Sequence, residues 1–214
     1  MMIAASQISH IKRKRLPYDA MVSHLTSTAG AYVNAGILSA TITRLDCRVR
    51  YDSFLGAYKA FFGTYFDEQR DSLRMILQNT NNSSVYVTAN RKASGSISAP
   101  LSQRAWHDLS VDCVDNKCTI DGAAYTSTTA HGTAYSAPLV LFGLNSGGTM
   151  SGTAGVMIAS CAIYASEGLV RDYVAVRFTN GTGVSEGALY DRVSGQLFRN
   201  AGPGSLVPGP DVAD

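Results

Sequence analysis

Leu109-Ser110-Val111-Asp112-Cys113 and, after an interval of four residues, Cys118-Thr119-Ile120-Asp121 form the stretch that decides the fold. Apolar and polar side chains alternate strictly on both sides of the interval. Alternation with a period of two is typical of a β-strand that buries one face. Because the interval Val114-Asp115-Asn116-Lys117 is polar and short, the stretch predicts an antiparallel hairpin with its apolar side chains inside the protein.

Strand-like segments continue on both sides of this hairpin. They are rich in Val, Ile, Tyr, Phe and Thr, and clusters of Gly, Asn, Asp and Ser separate them. The segments are 45–51, 60–66, 73–78, 84–89, 138–144, 156–164 and 169–178. Such spacing predicts an antiparallel β-sandwich or barrel with almost no helix.

The composition suits one compact domain. The chain has 214 residues, of which 45% are hydrophobic and 16% charged, and its formal net charge is +2. These values exclude collagenous, highly charged disordered and coiled-coil classes. No apolar run reaches the roughly 18 residues that a membrane-spanning helix needs, so we expect no membrane partner. We divide the chain into a basic N-terminal arm (1–16), one domain (17–207) and a C-terminal tail (208–214).

Three regions resemble a known family. Residues 104–111, followed by Ile120-Asp121-Gly122, are similar to the W-H-x-V-x-V…D-G hairpin of laminin-G-like and concanavalin A-like jelly rolls. Residues 162–202, with Leu169-Val170-Arg171-Asp172-Tyr173-Val174 and Gly187-Ala188-Leu189-Tyr190-Asp191, resemble the end of lectin-like domains from phages and gut bacteria, and 25–37 resembles their opening. The resemblance implies an all-β, two-sheet antiparallel jelly-roll sandwich of the concanavalin A-like type. The chain departs from the family pattern at Ala175, where proline is usual, and at Asn34-Ala35.

The alternation and these motifs also predict the core. The residues expected inside are Trp106, Leu109, Val111 and Ile120 of the hairpin, with Ile163, Val174, Val176 and Leu189 lining the same core. Arg171-Asp172 and Tyr190-Asp191-Arg192 are expected to pair charges across strands or to cap turns.

Cys113 and Cys118 allow two interpretations. A two-residue turn at Asp115-Asn116 would place the two cysteines opposite each other, within the range of disulfide geometry. Two buried thiols on one face of the hairpin are the alternative, because cysteine packs as a small hydrophobic residue.

Evidence for catalysis is weak, and we expect a non-catalytic protein. A glycoside hydrolase needs two carboxylates across a sugar ring, whereas the three glutamates, Glu68, Glu167 and Glu186, are far apart in sequence. Residues 183–187 match G-x-S-x-G, but they lie in a glycine-rich loop between two strand signals rather than between a strand and a helix.

No cofactor motif or histidine pair at metal spacing occurs. Calcium occurs in some related jelly rolls, yet turn propensity explains the Asp/Asn-rich residues 112–121, so we expect no metal.

A lectin-like module that binds a surface glycan or a host receptor is the expected function. The segments that differ most from the family pattern, 58–74 and 85–98, combine aromatic faces with hydrogen-bonding groups, as sugars require. The candidate ligand-binding residues are Tyr65, Asp67, Arg70, Tyr86, Asn90 and Arg91. A purely structural virion protein and, less favoured, a glycoside hydrolase are the alternatives.

The basic arm predicts an attachment function. Its candidate partner-binding residues are Ile8, Ile11, Lys12, Arg13, Lys14 and Arg15. Without the last four, 14 basic residues face 16 acidic ones, so we expect no specific nucleic-acid binding by the domain. An arm on a lectin-like domain suggests a phage tail, fibre or capsid-decoration protein that assembles in the bacterial cytoplasm and joins other virion subunits, as a homo-oligomer. A lectin at the bacterial cell surface is the alternative.

Overall fold

The computed structural model describes residues 16–53, 59–77, 84–92 and 96–212. Within them the chain forms strands and one short 3-10 turn, Ser39–Thr41. The strands are β1 (Ala20–Met21), β2 (Leu25–Ser27), β3 (Val33–Leu38), β4 (Arg44–Tyr51), β5 (Lys59–Tyr65), β6 (Asp71–Leu77), β7 (Ser84–Lys92), β8 (Ile97–Pro100), β9 (His107–Asp112), β10 (Lys117–Ile120), β11 (Ala123–Thr126), β12 (Pro138–Leu141), β13 (Gly143–Ser146), β14 (Thr149–Gly152), β15 (Val156–Ala165), β16 (Gly168–Thr179), β17 (Ser185–Asp191), β18 (Gln196–Arg199) and β19 (Leu206–Pro208). The described part of the chain contains no helix long and apolar enough to span a membrane.

The strands form two sheets packed face to face. The large sheet has the order β11-β10-β9-β4-β15-β16-β17-β18, with β1, β2 and β19 attached at its side. The small sheet has the order β14-β13-β5-β6-β7-β8, and β12 joins β5 to β3. All pairs are antiparallel except β13 with β5. The expected all-β, two-sheet antiparallel sandwich is confirmed.

The segment expected as one strand over 138–144 is broken in two. β12 runs antiparallel to β5, whereas β13 runs parallel to it, so the chain reverses between them. Phe142 lies at the reversal with φ of 61°, a left-handed conformation that a bulky residue adopts only where its surroundings impose it. Its side chain is fully buried, and packing in the core holds the backbone there.

The hairpin that decides the fold is present, and its inner face belongs to the core. Leu109, Val111, Cys118 and Ile120 are buried, whereas Ser110 and Thr119 are half-buried on the other face. Burying each large apolar side chain contributes about 1.5–3 kcal/mol. Two tyrosines lie fully within this core, and their hydroxyls donate to carbonyls: Tyr51 to Leu101 at 2.8 Å and Tyr173 to Ala35 at 3.0 Å.

The buried apolar residues form two clusters rather than the single predicted core. Ile163 and Leu189 lie in the main core as expected. Val174 and Val176 instead pack in a second cluster with Phe178 and Ala188. This cluster lies outside the main core and is covered by Tyr18 and Met21, the latter from β1, which pairs with β16. The prediction that Val174 and Val176 line the same core is therefore wrong.

Trp106 is also placed differently from the prediction. Its side chain is half-exposed, and His107 is the buried residue. His107, Leu109 and Val111 share one face of β9, so the residue before His107 falls on the opposite face. His107 satisfies its ring nitrogens with the Asp121 carboxylate (Nδ1 to Oδ2, 2.6 Å) and Ser102 (Nε2 to the carbonyl oxygen, 3.0 Å).

The cysteines follow the second interpretation. Lys117 pairs with Asp112 and Cys118 pairs with Val111, so the turn contains four residues and the two cysteines do not face each other. The Asp112 carboxylate closes this turn by accepting the backbone N–H groups of Val114 and Asp115. Cys113 and Cys118 are free and buried.

A disulfide joins two other cysteines, Cys47 on β4 and Cys161 on β15, which are direct cross-strand neighbours. Both residues face the main core. This pair was not predicted, because the register between strands more than a hundred residues apart is not visible in the sequence.

The predicted N-terminal arm and C-terminal tail have different outcomes. The predicted arm residues Ile8, Ile11 and Lys12–Arg15 lie outside the described residues. Near the other end, part of the segment assigned to a tail is attached to the sheet, since Val212 donates its N–H to Met21 at 3.0 Å and Arg177 pairs with Asp211 at 2.6 Å.

Candidate functional site

An open groove of about 330 Å³ lies on the outer side of the small sheet. β5, β6 and the β13–β14 hairpin form it, because Arg74 and Ile76 of β6 face away from the core that Leu73, Met75 and Leu77 fill. Its lining residues are Ala60, Tyr65, Glu68, Arg74, Ile76, Leu144, Ser146, Ser151 and Thr153. The groove therefore combines an apolar floor with hydroxyl groups, one carboxylate and one guanidinium group.

Three of these residues form a connected polar arrangement at the end of β5. The Tyr65 hydroxyl donates to Glu68 Oε1 at 3.1 Å, and the Arg74 guanidinium carbon lies 4.4 Å from the centre of the Tyr65 ring. Arg74 Nη2 is 3.9 Å from the same Glu68 oxygen. Partial burial raises the pKa of the Tyr65 hydroxyl, and the hydrogen bond to Glu68 raises it further. The hydroxyl therefore remains protonated and can donate.

Arg74 is the most buried charged group of the groove, with its side chain only 9% exposed. Gly63 pairs with Arg74 on the neighbouring strand, and a Cβ at Gly63 would lie 2.5 Å from the Arg74 Cβ. A glycine at this position leaves room for the arginine stem beside β5. Arg74 thus offers a fixed cation at the base of the groove, and Glu68, with its side chain 55% exposed, offers an accessible acceptor.

Of the predicted ligand-binding residues, Tyr65 lines the groove, whereas Asp67 and Arg70 form the turn beside it. Asp67 Oδ1 accepts the backbone N–H groups of Gln69 (2.9 Å) and Arg70 (3.0 Å). The Arg70 side chain pairs with Asp67 at 3.4 Å and lies 3.8 Å over the Phe66 ring. These contacts give the two residues a structural role in the turn between β5 and β6.

The other three predicted residues lie on β7 and do not line the groove. Tyr86 is half-buried opposite Ile76. The Asn90 amide donates to the carbonyls of Ser39 (3.0 Å) and Ile42 (3.3 Å), and it therefore holds the 3-10 turn. Arg91 donates to the carbonyls of Cys113 (3.3 Å) and Val114 (3.2 Å), which fixes the turn between β9 and β10.

Arg74, Glu68 and the residues of the β13–β14 hairpin are not among the ligand-binding residues predicted from the sequence. One signal was available for Arg74, since it is a charged residue within Leu73-Arg74-Met75-Ile76-Leu77, an otherwise apolar strand. A charge in such a strand either has a partner or faces a solvent-filled depression. Nothing local in the sequence indicates that residues 144–153 approach it.

No candidate metal centre accompanies the groove. Across the ranges that the structure describes, no group of three or more His, Cys, Asp or Glu side chains could hold a metal ion. The G-x-S-x-G match lies in a loop and at the start of β17, and β17 is a strand where a nucleophile elbow needs a helix.

Comparisons with known proteins add structural neighbours of low similarity. No model of a protein family matches the chain, and no curated protein sequence does. One similar solved structure is the CBM40 of Ruminococcus gnavus IT-sialidase, with a TM-score of 0.43 and 10% identity; the match covers 63% of this chain and 88% of that chain. The same CBM40 bound to alpha2,3 sialyllactose has a TM-score of 0.42 and 11% identity, and the match covers 64% of this chain and 90% of that chain. Domains LG4-5 of the mouse laminin alpha1 chain have a TM-score of 0.44 and 12% identity, and the match covers 99% of this chain and 84% of that chain. At these values neither a function nor a ligand for this chain follows from the likeness.

Proposed function

We propose that this protein is a non-catalytic carbohydrate-binding module and that the groove on the small sheet is its glycan-binding site. The observation that carries the proposal is the arrangement of Tyr65, Glu68 and Arg74, in which an aromatic ring, an acceptor and a buried cation meet in one open groove. A sugar needs an apolar surface for its C–H groups and fixed polar partners for its hydroxyls. Ile76 and Leu144 supply the first, and the polar rim supplies the second.

The absence of a second carboxylate supports binding rather than hydrolysis. Glycoside hydrolases place two carboxyl groups about 5–9.5 Å apart across the scissile bond. Among the described residues that line the groove, Glu68 is the only acid. The neighbouring Asp67 carboxylate is occupied by two backbone N–H groups and Arg70.

A glycan array followed by calorimetric titration of the best glycan tests the proposal. Tyr65→Ala should weaken binding at least tenfold, about 1.4 kcal/mol. Tyr125→Ala is the matched control, since Tyr125 is a half-buried tyrosine on β11 of the other sheet. Arg70→Ala should have a smaller effect than Tyr65→Ala, because Arg70 stacks on Phe66 beside the groove. A wild-type protein that binds no glycan, or equal losses in Tyr65→Ala and Tyr125→Ala, would contradict the proposal.

The position of the protein in a phage particle stays a prediction from the sequence. It depends on the arm, residues 1–16, of which the structure describes only Leu16, an exposed residue. We propose that the arm attaches the module to other virion subunits and that the groove faces the host surface. Co-sedimentation of the full chain, and of a chain that lacks residues 1–15, with assembled particles tests this attachment.

A further inference from the structure

The outer face of the large sheet carries a second set of potential ligand groups. On β4, Leu45, Cys47 and Val49 face the core, so the alternate residues Arg44, Asp46 and Arg48 face outward. Their cross-strand neighbours extend this face over β9 and β15. One row across the sheet reads Ser110, Asp46, Ala162 and Asp172, and the next reads Asp108, Arg48 and Ser160.

A shallow trough crosses this face because small side chains alternate with long ones. Two depressions, of about 470 and 400 Å³, share Asp46 and Asp108 and adjoin each other. Together they extend from Thr119 on β10 to Asp172 on β16, and Ser110, Ser160 and Ala162 lie between the charged side chains. Five neighbouring strands at about 4.8 Å spacing give a length of about 19 Å, which fits an extended ligand better than a compact one.

Aromatic side chains flank the trough on its two long sides: Tyr164 lies beyond the Asp46 row along β15, and Trp106 lies beyond the Asp108 row, just before β9. Tyr164 lines it, with the Arg44 guanidinium 3.9 Å above its ring. Trp106, the single tryptophan of the chain, is half-buried on the other side; the His24 ring packs edge-on against it at 5.4 Å between ring centres, and the Arg48 guanidinium carbon lies 6.0 Å from its ring centre. Tyrosine and tryptophan combine an apolar ring with a polar group, which suits them to a surface where a ligand presents both C–H groups and hydroxyls.

The charges of the trough balance locally. Arg44 pairs with Asp46 at 3.1 Å, and the other two pairs along the trough are Arg48–Asp108 at 3.2 Å and Arg192–Asp172 at 2.8 Å. Each pair leaves donors and acceptors toward solvent, because the side chains are between 24% and 71% exposed. A balanced surface does not attract a polyanion, whereas it offers hydrogen bonds to hydroxyl groups.

We propose that this trough is a second carbohydrate-binding surface and that it takes an uncharged linear polysaccharide, laid across the strands between Tyr164 on one side and Trp106 on the other. The surface is independent of the groove around Tyr65, since the two belong to different sheets. The module would then bind glycan on both outer faces of its sandwich and could link two chains.

Native gel electrophoresis of the full chain through gels that contain a polysaccharide tests the proposal. The probes are a soluble linear β-glucan, a linear mannan and a linear xylan, with polygalacturonate as the charged comparison. We expect at least one neutral probe to retard the wild-type protein and polygalacturonate to leave its mobility unchanged. Ala162→Tyr, which fills the trough from an outward position, should reduce the affinity at least tenfold, and Ala134→Tyr, at an exposed position outside it, should not.

Trp106→Ala serves as the second variant if Ala162→Tyr does not fold, and it too should lower the affinity tenfold. The proposal is overturned if no neutral probe retards the protein, if polygalacturonate retards it as strongly, or if both trough variants bind like the wild type. Binding that is lost in Tyr65→Ala and retained in both trough variants would overturn the trough and sustain the groove. Binding lost in the trough variants and retained in Tyr65→Ala would sustain the trough.

Discussion

The carboxylate of Asp191 is the group whose loss should destabilise the protein most clearly. It is completely buried at the end of β17. It accepts the backbone N–H groups of Asp172 (2.8 Å), Val193 (3.1 Å) and Ser194 (3.2 Å), and it also accepts the Ser194 hydroxyl at 2.6 Å. Arg171 Nε lies 3.7 Å away. One side chain therefore closes the turn between β17 and β18 and ties it to β16.

Asp191→Ala should lower the free energy of unfolding by about 3–5 kcal/mol, because it leaves several buried donors and a nearby cation without their acceptor. This is a large part of the roughly 5–15 kcal/mol that stabilises a typical domain. Ser194→Ala is the matched control. It removes one hydrogen bond at the same carboxylate and should cost about 1 kcal/mol.

The pH dependence gives an independent check of this carboxylate. Burial alone would raise the pKa of Asp191, but the hydrogen bonds from Asp172, Ser194 and Val193 outweigh it and hold the pKa below its ordinary value. A depressed carboxyl pKa contributes stability that is present above the unfolded pKa, about 3.9, and is lost as the pH falls through the folded value. In Asp191→Asn that contribution is absent at every pH.

Urea unfolding at neutral pH and at several acidic pH values measures both effects. The difference between wild type and Asp191→Asn should be largest at neutral pH and should shrink as the solution is acidified below about pH 4. Two results would refute the reasoning: an Asp191→Ala variant within 1 kcal/mol of the wild type, or a wild-type minus Asp191→Asn difference that does not change with pH.

Three further predictions concern other parts of the chain. Burial raises the pKa of the Cys113 and Cys118 thiols to about 12, so iodoacetamide at mildly alkaline pH should label neither in the folded protein and both in denaturant, as counted by mass spectrometry. Gly63→Ala should cost about 1–3 kcal/mol in urea unfolding, because the new Cβ would overlap the Arg74 stem. Deletion of residues 1–15 should leave the melting temperature nearly unchanged and abolish co-sedimentation with particles; a large fall in melting temperature would show instead that the arm is part of the domain.

Local patterns predicted the strands well. The alternation in 109–121 placed the hairpin and its buried face, and the segment expected over 156–164 is β15, Val156–Ala165, with a difference of one residue. These features depend on near neighbours in sequence, which a period of two reveals. Phe142 shows the limit, because packing in the core reverses the chain inside a run that looks like one strand.

The prediction for Val174 and Val176 failed because strand β16 is buried on both faces, one against the main core and the other against the second cluster. Strand β16 buries Val174 and Ala175 on opposite faces, since Tyr18 and Met21 cover part of its outer side. A segment far away in sequence decides this, so the pattern of β16 alone could not show it. The Trp106 error was avoidable, because Leu109 and Val111 already place His107, and not its predecessor, on the buried face of β9.

The candidate site was predicted only in part for a similar reason. Tyr65 was identifiable as an aromatic residue at the end of a strand, next to a polar turn. Its partner Arg74 lies across a strand pair, and the wall formed by the β13–β14 hairpin comes from nearly seventy residues further along the chain. Asn90 and Arg91 are residue types that often bind sugars, but here their side chains donate hydrogen bonds to backbone carbonyl oxygens of this chain.

The N-terminal segment of the described domain determines which part of the large sheet remains available to a ligand. Tyr18 and Met21 cover Val174, Val176, Phe178 and Ala188, and the Tyr18 ring lies 5.0 Å from that of Tyr190. This apolar half of the outer face would otherwise be exposed and prone to association. The uncovered half is the polar one, with the Arg–Asp pairs and Trp106. The trough on the large sheet and the groove on the small sheet both lie on outer faces, where substitutions leave the main core intact. Ligand binding and fold stability can therefore be tested by separate variants.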